Sequence, residues 1–183
     1  EESASRLLTQ ARRDAFGAGQ GGGDRRALLE SQVIGDYLTK AGDVASNFTL
    51  TDQYGQDVDL YSFCGKVVML VFSASWCPPC QDFAQEVQSI QDSAPYDVQV
   101  IELLIENNNY GGGVVEIADQ MDWATDFGMT TVPVLDADSN SEAAEWKWFY
   151  DRDGGIPTTV MIGPDMKIIN VDRNRHDPTR YLE

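Results

Sequence analysis

The residues of this 183-residue chain that could carry chemistry are concentrated in Trp76-Cys77-Pro78-Pro79-Cys80. An apolar, β-branched run precedes the two cysteines, and Phe83, Val87 and Ile90 follow them at helical spacing. The pair is therefore predicted to lie where a strand leads into a helix. With Cys77 at the helix N-cap, its sulfur meets the positive end of the helix dipole, which stabilises the thiolate that performs thiol–disulfide exchange. Cys80 would lie one turn further on, close enough to form a disulfide with Cys77.

The two prolines shape the electrostatics of this turn. Pro78 and Pro79 suit the first helical turn, where a backbone N–H has no intrahelical partner. Because neither residue has an N–H, the amide of Cys80 is the nearest backbone donor left for Cys77. We therefore predict that the pKa of Cys77 lies below the free-cysteine value of about 8.5, although not far below it.

An isolated CxxC also has two other interpretations, half of a zinc site or a pair of buried thiols. The chain has three cysteines and one histidine, His176, so it has no second pair to complete a zinc site. His176 lies between Arg175 and Asp177 and is interpreted as a surface residue.

A second candidate segment is Gly154–Thr159, which reads GGIPTT. The Ile156–Pro157 bond is our candidate for a cis peptide, because a β-branched strand and a hairpin turn follow it directly. The Val132–Pro133 bond is the rival candidate. An ordinary trans proline that opens a strand is the alternative for Pro157.

The elements that must position these segments are read from hydrophobic periodicity and turn residues. They are a hairpin at 47–50 and 57–60, buried strands at 66–73 and 97–105, a helix after Cys80, a helix at 114–124, a short strand at 133–135, and a hairpin at 158–162 and 167–171. A hairpin, then βαβαβ, then two strands predicts an α/β fold in which helices flank a central mixed sheet.

The N-terminal part differs in character from the rest. Residues 1–41 are interpreted as a tether with a helix at 25–40, and residues 42–183 as the folded domain. The stretch Gly17–Gly23 (GAGQGGG) has the composition of a flexible linker. No run of eighteen apolar residues is present to span a membrane, and no signal peptide is visible at Glu1. We expect that a targeting or anchoring segment has been removed ahead of Glu1.

The charge balance excludes some partners. Thirty acidic residues against thirteen basic ones give a net charge of −17, which argues against binding to nucleic acid or to an anionic membrane surface. Such a surface should steer basic partners toward the protein at a rate that falls as salt rises.

Together these segments resemble the thioredoxin-like superfamily, and within it the extracytoplasmic TlpA, ResA and CcmG-type proteins with redoxin domains. Three segments carry the resemblance, which runs from about Gly42 to Asp172: GDVASNFTLTDQYGQDVDL at 42–60, GKVVMLVFSASWCPPC at 65–80 and GGIPTTVMIGPDMKI at 154–168. The stretch FSASWCPPC is also similar to tryparedoxins and nucleoredoxins. The resemblance implies a thioredoxin-like fold with an N-terminal β-hairpin and a central insertion within residues 107–150.

The resemblance also implies roles for individual residues. Cys77 would be the attacking catalytic thiol and Cys80 the resolving one. The substrate-binding surface would comprise Trp76, Pro78, Pro79, Ile156 and Pro157. Of these, Ile156 and Pro157 would offer backbone to a bound partner, as an edge strand does.

The chain departs from the family pattern at the group that handles the proton of the second cysteine. Thioredoxins place a buried acid six residues before the first cysteine, where this chain has Val71. ResA-like proteins often have a glutamate three residues after the second cysteine, where this chain has Phe83. Asp82 and Glu86 are near in sequence, but the helix direction can turn them to solvent. A proton acceptor for Cys80 is therefore not assigned from the sequence.

The third cysteine, Cys64, immediately precedes the strand predicted to enter the motif. We interpret it as a small buried core residue, because unpaired cysteines are commonly buried. A third redox thiol is the alternative.

The functional hypothesis is a thiol–disulfide oxidoreductase that exchanges disulfides with cysteine-containing proteins. It would use no metal and no cofactor beyond the Cys77–Cys80 disulfide. The resemblance implies that it works as a reductant outside the cytoplasm, in a bacterial periplasm or cell envelope, and that an upstream thiol reductant supplies its electrons.

Two alternatives remain. A Cu(I)-binding metallochaperone-like module on the same fold would use soft thiolates, but such modules have three residues between the cysteines and a histidine. A thiol peroxidase would need Thr or Ser three residues before its reactive cysteine and Pro seven before it. Ala74 and Leu70 occupy these positions ahead of Cys77, and Cys77 and Ser73 occupy them ahead of Cys80.

Overall fold

The computed structural model describes residues 41–94, 97–110, 113–138, 140–141 and 155–172. The predicted N-terminal tether and its helix at 25–40 lie outside the described residues, as does His176. None of the helices described in these ranges is long and apolar enough to cross a membrane.

The described elements follow the predicted order. They are β1 (Thr49–Thr51), β2 (Asp57–Asp59), β3 (Val67–Ala74), α1 (Pro78–Ser93), β4 (Val98–Glu106), α2 (Ile117–Asp126), β5 (Val134–Asp136), β6 (Thr158–Ile162) and β7 (Ile168–Asp172). A 3-10 turn at Leu60–Phe63 leads from β2 toward β3. The prediction of an α/β fold around a mixed sheet is confirmed.

The central sheet has five strands in the order β5-β4-β3-β6-β7. Strands β3, β4 and β5 are parallel, whereas β6 runs antiparallel to β3 and β7 antiparallel to β6. Every residue of β3 is buried, which explains why its sequence is apolar without alternation. Because β3 and β4 are parallel neighbours, their carboxyl ends lie side by side at one end of the sheet.

Both helices cover the same face of this sheet. The crossovers from β3 to β4 and from β4 to β5 step across the sheet in the same direction, and right-handed crossovers then place α1 and α2 on one side. Gln88 of α1 confirms their proximity, because its Oε1 accepts hydrogen bonds from the N–H groups of Thr130 (2.7 Å) and Thr131 (3.1 Å) just after α2.

The predicted start of the second helix is corrected by its cap. The apolar spacing predicted a helix from residue 114, whereas α2 begins at Ile117. Glu116 is the N-cap and forms a reciprocal capping box with Asp119, which sets the first residue of the helix. The backbone N–H of Val115 donates instead to the carboxylate of Asp138 at 3.3 Å.

The N-terminal hairpin is attached to the domain by a buried glutamine. The Asp52 carboxylate accepts hydrogen bonds from the N–H groups of Tyr54 and Gln56, both at 2.8 Å, and closes the turn between β1 and β2. Gln53 in that turn donates to the Val132 carbonyl at 3.3 Å and accepts from the Val134 N–H at 2.8 Å. The hairpin is thereby held next to edge strand β5.

Candidate active site

The two cysteines of the motif form a disulfide at the N-terminus of α1. Cys77 is the N-cap, and the N–H of Cys80 donates to its Sγ at 3.3 Å. This is the single backbone donor that the two prolines were predicted to leave. Cys77 is 3% exposed and Cys80 is 0% exposed, so Cys77 is the sulfur that an incoming thiol can reach.

The second predicted segment lies directly against Cys77. The Ile156–Pro157 peptide bond is cis, as predicted, and Val132–Pro133 is not. The carbonyl oxygen of Ile156 lies 3.7 Å from Cys77 Sγ. Strand β6 produces this approach, because it begins at Thr158 opposite Phe72 on the strand that leads into the motif.

Apolar side chains on either side of Cys77 in the chain form a rim next to the disulfide. Trp76 is half-buried, and its indole N–H donates to Glu106 Oε2 at 2.7 Å. Its ring packs edge-on against Tyr110, with ring centroids 4.6 Å apart, and Tyr110 is 80% exposed. Pro78 and Pro79 are exposed beside them. The structure thus brings Trp76 and both prolines to the same rim as the disulfide.

Sequence reasoning missed Glu106 and Tyr110. Glu106 is the last residue of β4 and pairs with Ala74 at the end of β3, so the register of the two strands carries it to Trp76. An acid at the carboxyl end of the strand after the motif was the available signal. No sequence signal pointed to Tyr110, because it lies in the loop that follows β4.

A cavity of about 330 Å³ opens beside the site. Ser75 and Gln81 line it from the side of the motif, and Asp119, Asp122 and Asp126 line it from α2. Gln81 is held there because its side-chain amide donates to the Ser75 carbonyl at 2.6 Å. These three carboxylates concentrate negative charge on one wall of the cavity beside the site.

A buried acid, also missed in the sequence, lies beneath the motif. Glu102 is 0% exposed in the middle of β4 and pairs with Val71, the position six residues before Cys77. Burial raises the pKa of Glu102 to about 8, against smaller opposing effects from Ser73 and Trp123. The signal for it was an ionisable residue in the centre of the apolar run VQVIELLIE.

The polar atoms around Glu102 are unsatisfied within the described part of the chain. Both carboxyl oxygens of Glu102, the hydroxyl of Ser73 and the indole nitrogen of Trp123 are buried without a hydrogen-bond partner there. Ser73 and Trp123 approach the carboxyl closely enough to lower its pKa, but neither reaches hydrogen-bond geometry.

The acids of α1 do not serve Cys80. Asp82 and Glu86 are exposed, and Phe83, at the position where ResA-like proteins often have glutamate, is 1% exposed. The buried residues of α1 are Cys80, Phe83, Ala84 and Val87, so Cys80 is the one titratable group among them.

The interpretation of Cys64 as a buried core residue is wrong. Cys64 is exposed, because it ends the 3-10 turn before β3 rather than entering the strand. The eight residues of β3 separate this end of the sheet from the motif by about 26 Å of extended chain. Cys64 is therefore outside the site.

Comparisons with known proteins agree with this geometry. Residues 41–171 match the AhpC/TSA family. The thiol-disulfide oxidoreductase ResA of Geobacillus kaustophilus is 32% identical over 146 residues, which cover 78% of this chain and 76% of that protein. A nucleoredoxin of Oryza sativa is 28% identical over 96% of this chain, but the match spans 36% of the nucleoredoxin's length.

The fold is also found among solved structures. A thiol:disulfide interchange protein of the thioredoxin family from Chlorobium tepidum superposes with a TM-score of 0.61 at 20% identity. The superposition covers 76% of this chain and 92% of that one. This likeness shows that the fold is thioredoxin-like.

Proposed function

We propose that this chain, which belongs to the AhpC/TSA family and is a thiol–disulfide oxidoreductase of the ResA-like type, acts as a reductant. Its proposed substrates are disulfides of proteins outside the cytoplasm. The observation that supports this proposal is the Cys77–Cys80 disulfide at the N-terminus of α1, with the carbonyl of Ile156 beside Cys77 Sγ.

In the proposed reaction, the reduced protein attacks a partner's disulfide. The Cys77 thiolate bonds to one partner sulfur, and the other partner sulfur leaves with the electron pair. Cys80 then attacks Cys77 Sγ, the partner is released as a dithiol, and the Cys77–Cys80 disulfide forms. An upstream thiol reductant restores the dithiol. The difference in exposure between the two cysteines supports this order of attack.

The rim supports the proposed binding of an extended partner segment. Trp76, Pro78 and Pro79 would contact apolar side chains on either side of the partner cysteine. The backbone at Ile156 and Pro157 would pair with the partner's main chain, in the manner of an added strand. The acidic cavity beside Gln81 would favour partners with basic residues near that cysteine.

The reduction potential tests the proposed direction. The Cys64→Ser protein is equilibrated in glutathione and dithiothreitol buffers of graded potential, and the fraction of Cys77–Cys80 disulfide is measured by alkylation and mass. A potential near or below the thioredoxin value of about −270 mV supports a reductant. A value near about −120 mV is that of a strong oxidant and would contradict the proposal.

Catalysis is measured in parallel with a protein disulfide as substrate. Reduced protein should reduce insulin in the presence of dithiothreitol. The Cys77→Ser variant should be inactive, and the Cys80→Ser variant should accumulate a mixed disulfide. An active Cys77→Ser variant would show that the assigned nucleophile is wrong.

A further inference from the structure

The exchange reaction leaves one proton without an assigned carrier. Cys80 must lose its thiol proton before it attacks Cys77, and it must regain a proton when the disulfide is reduced again. Val71 and Phe83, at the two positions where related proteins place an acid, are fully buried apolar residues that cannot carry it. Asp82 and Glu86 are exposed on the outer face of α1.

Glu102 lies on the side of the sheet where Cys80 is buried. Trp123 of α2 and Ser73 of β3 both perturb its carboxyl, so Glu102 points to the face that carries α2. The same face carries α1, because the two crossovers step in the same direction and Gln88 joins α1 to the chain after α2. Cys80 projects inward from the first turn of α1 onto that face.

The strand register places Glu102 level with Val71, below the end of β3 that leads into the motif. Its partner in β3 is Val71, six residues before Cys77, and Ser73 lies between Val71 and the motif on the same face of β3. The Glu102 carboxyl is carried by the neighbouring strand. It therefore lies at the same height in the sheet as Val71, where β3 itself has no acid.

Among the described residues of α1, α2 and β5, no acid is as deeply buried on this face as Glu102. Cys80 is the titratable residue among the buried residues of α1, and the buried residues of α2 are Gln120, Trp123 and Ala124. On the other flank, β5 presents Val134 opposite Glu102. Asp136 follows two residues later, and the neighbouring charge that acts on it is that of Asp138.

We propose that Glu102 is the buried acid–base group that exchanges a proton with the thiol of Cys80. This proposal rests on the proposed function. During resolution the Glu102 carboxylate accepts the Cys80 proton, Cys80 Sγ bonds to Cys77 Sγ, and the partner sulfur leaves with the electron pair. When the upstream thiol opens the disulfide by attacking Cys77, Cys80 leaves as a thiolate and takes the proton back from the Glu102 carboxyl.

The protonation state of the Glu102 carboxyl suits the step in which the disulfide is opened and Cys80 regains its proton. In the disulfide form the pKa of Glu102 is about 8, so at neutral pH the group holds a proton that it can give. The hydroxyl of Ser73 lies on the same face and is buried without a hydrogen-bond partner among the described residues.

The test separates the attack by Cys77 from the attack by Cys80. Reduced Cys64→Ser protein is mixed with dithiobis-nitrobenzoate in a stopped-flow instrument. Attack by Cys77 releases the first thionitrobenzoate, and attack by Cys80 on the resulting mixed disulfide releases the second. Both phases are followed from pH 5.5 to 9 for the parent, for Glu102→Gln and for the exposed control Glu86→Gln.

We expect Glu102→Gln to slow the second phase at least about tenfold near neutral pH, because a positioned base typically contributes 10²–10⁴-fold. The deficit should shrink as pH rises and Cys80 ionises without help. The first phase should change less than about threefold, and Glu86→Gln should match the parent in both phases.

Equal second-phase rates for the parent and Glu102→Gln across the pH range would overturn the proposal. So would equal slowing of both phases at every pH, which indicates a structural role. Absence of a second phase in the parent itself would instead contradict the proposed function.

Discussion

Replacing Glu102 with glutamine should stabilise the oxidised protein by an amount that grows with pH. Burial raises the pKa of Glu102 from 4.5 to about 8, so between these values the folded protein holds a proton that the unfolded chain has lost. Each pH unit in that interval lowers the free energy of unfolding by about 1.4 kcal/mol. The loss by pH 8 is on the order of 5 kcal/mol, and glutamine, which carries no charge, avoids it.

The direction of this pH dependence follows from the linkage between proton binding and folding. Below pH 4.5 the carboxyl is neutral in both the folded and the unfolded state, and Glu102→Gln should then match the parent to within about 1 kcal/mol. Above about pH 8 the carboxylate is charged in both states, and the difference between the two proteins becomes constant. The window in which the stabilities diverge is therefore pH 4.5 to 8.

The assay is urea denaturation of the oxidised Cys64→Ser protein, monitored by tryptophan fluorescence at pH 5.5, 7 and 8.5. The parent should lose about 3 kcal/mol relative to Glu102→Gln between pH 5.5 and 8.5. Half-buried Asp136, whose pKa is also raised by burial, and the high negative charge are common to both proteins and cancel in this difference.

A matched control separates the effect of burying the carboxyl from the effect of removing its charge. Glu86→Gln removes the same charge from an exposed position on α1, so its unfolding curve should track that of the parent at all three pH values. If the difference between Glu102→Gln and the parent stays flat within about 0.5 kcal/mol, Glu102 is not held neutral by burial. The reasoning about its environment would then be wrong.

Three further results are expected. A thiolate-absorbance titration should give Cys77 a pKa below about 8.5, and Pro78→Ala should lower it further by adding a backbone N–H; an unchanged or higher value would contradict the capping argument. Reduction of a basic protein disulfide should slow steadily as salt rises, because the net charge is −17, whereas a rate independent of salt would refute electrostatic steering. Cys64→Ser should leave insulin reduction unchanged, because Cys64 is exposed at the end of β3 opposite the motif, and a loss of activity would restore it as a redox thiol.

Local signals were sufficient for the parts of the site that the chain encodes in one segment. The cysteines, the prolines between them and the following apolar spacing specify an N-cap followed by a helix, and α1 begins at Pro78 with Cys77 as its cap. The two prolines also predicted which backbone donor would remain, because proline has no N–H whatever the fold around it.

Interpretations that depended on the surroundings of a residue were less secure. The general tendency of unpaired cysteines to be buried predicts a core position for Cys64, but the 3-10 turn before β3 leaves it exposed. Apolar spacing predicts a start of α2 three residues too early, because it does not show that Glu116 and Asp119 cap each other.

The sequence by itself determined the order of strands and helices and the redox pair, because these follow from hydrophobic period and from residues adjacent in the chain. It offered two candidates for a cis proline bond, and the structure decided for Ile156–Pro157. Tertiary structure alone decided that Ile156 meets Cys77 and that Glu106 meets Trp76. It also decided that Glu102 lies beside Val71 under the motif. These pairs are 30 to 79 residues apart along the chain, and only the register between paired strands brings such distant residues together.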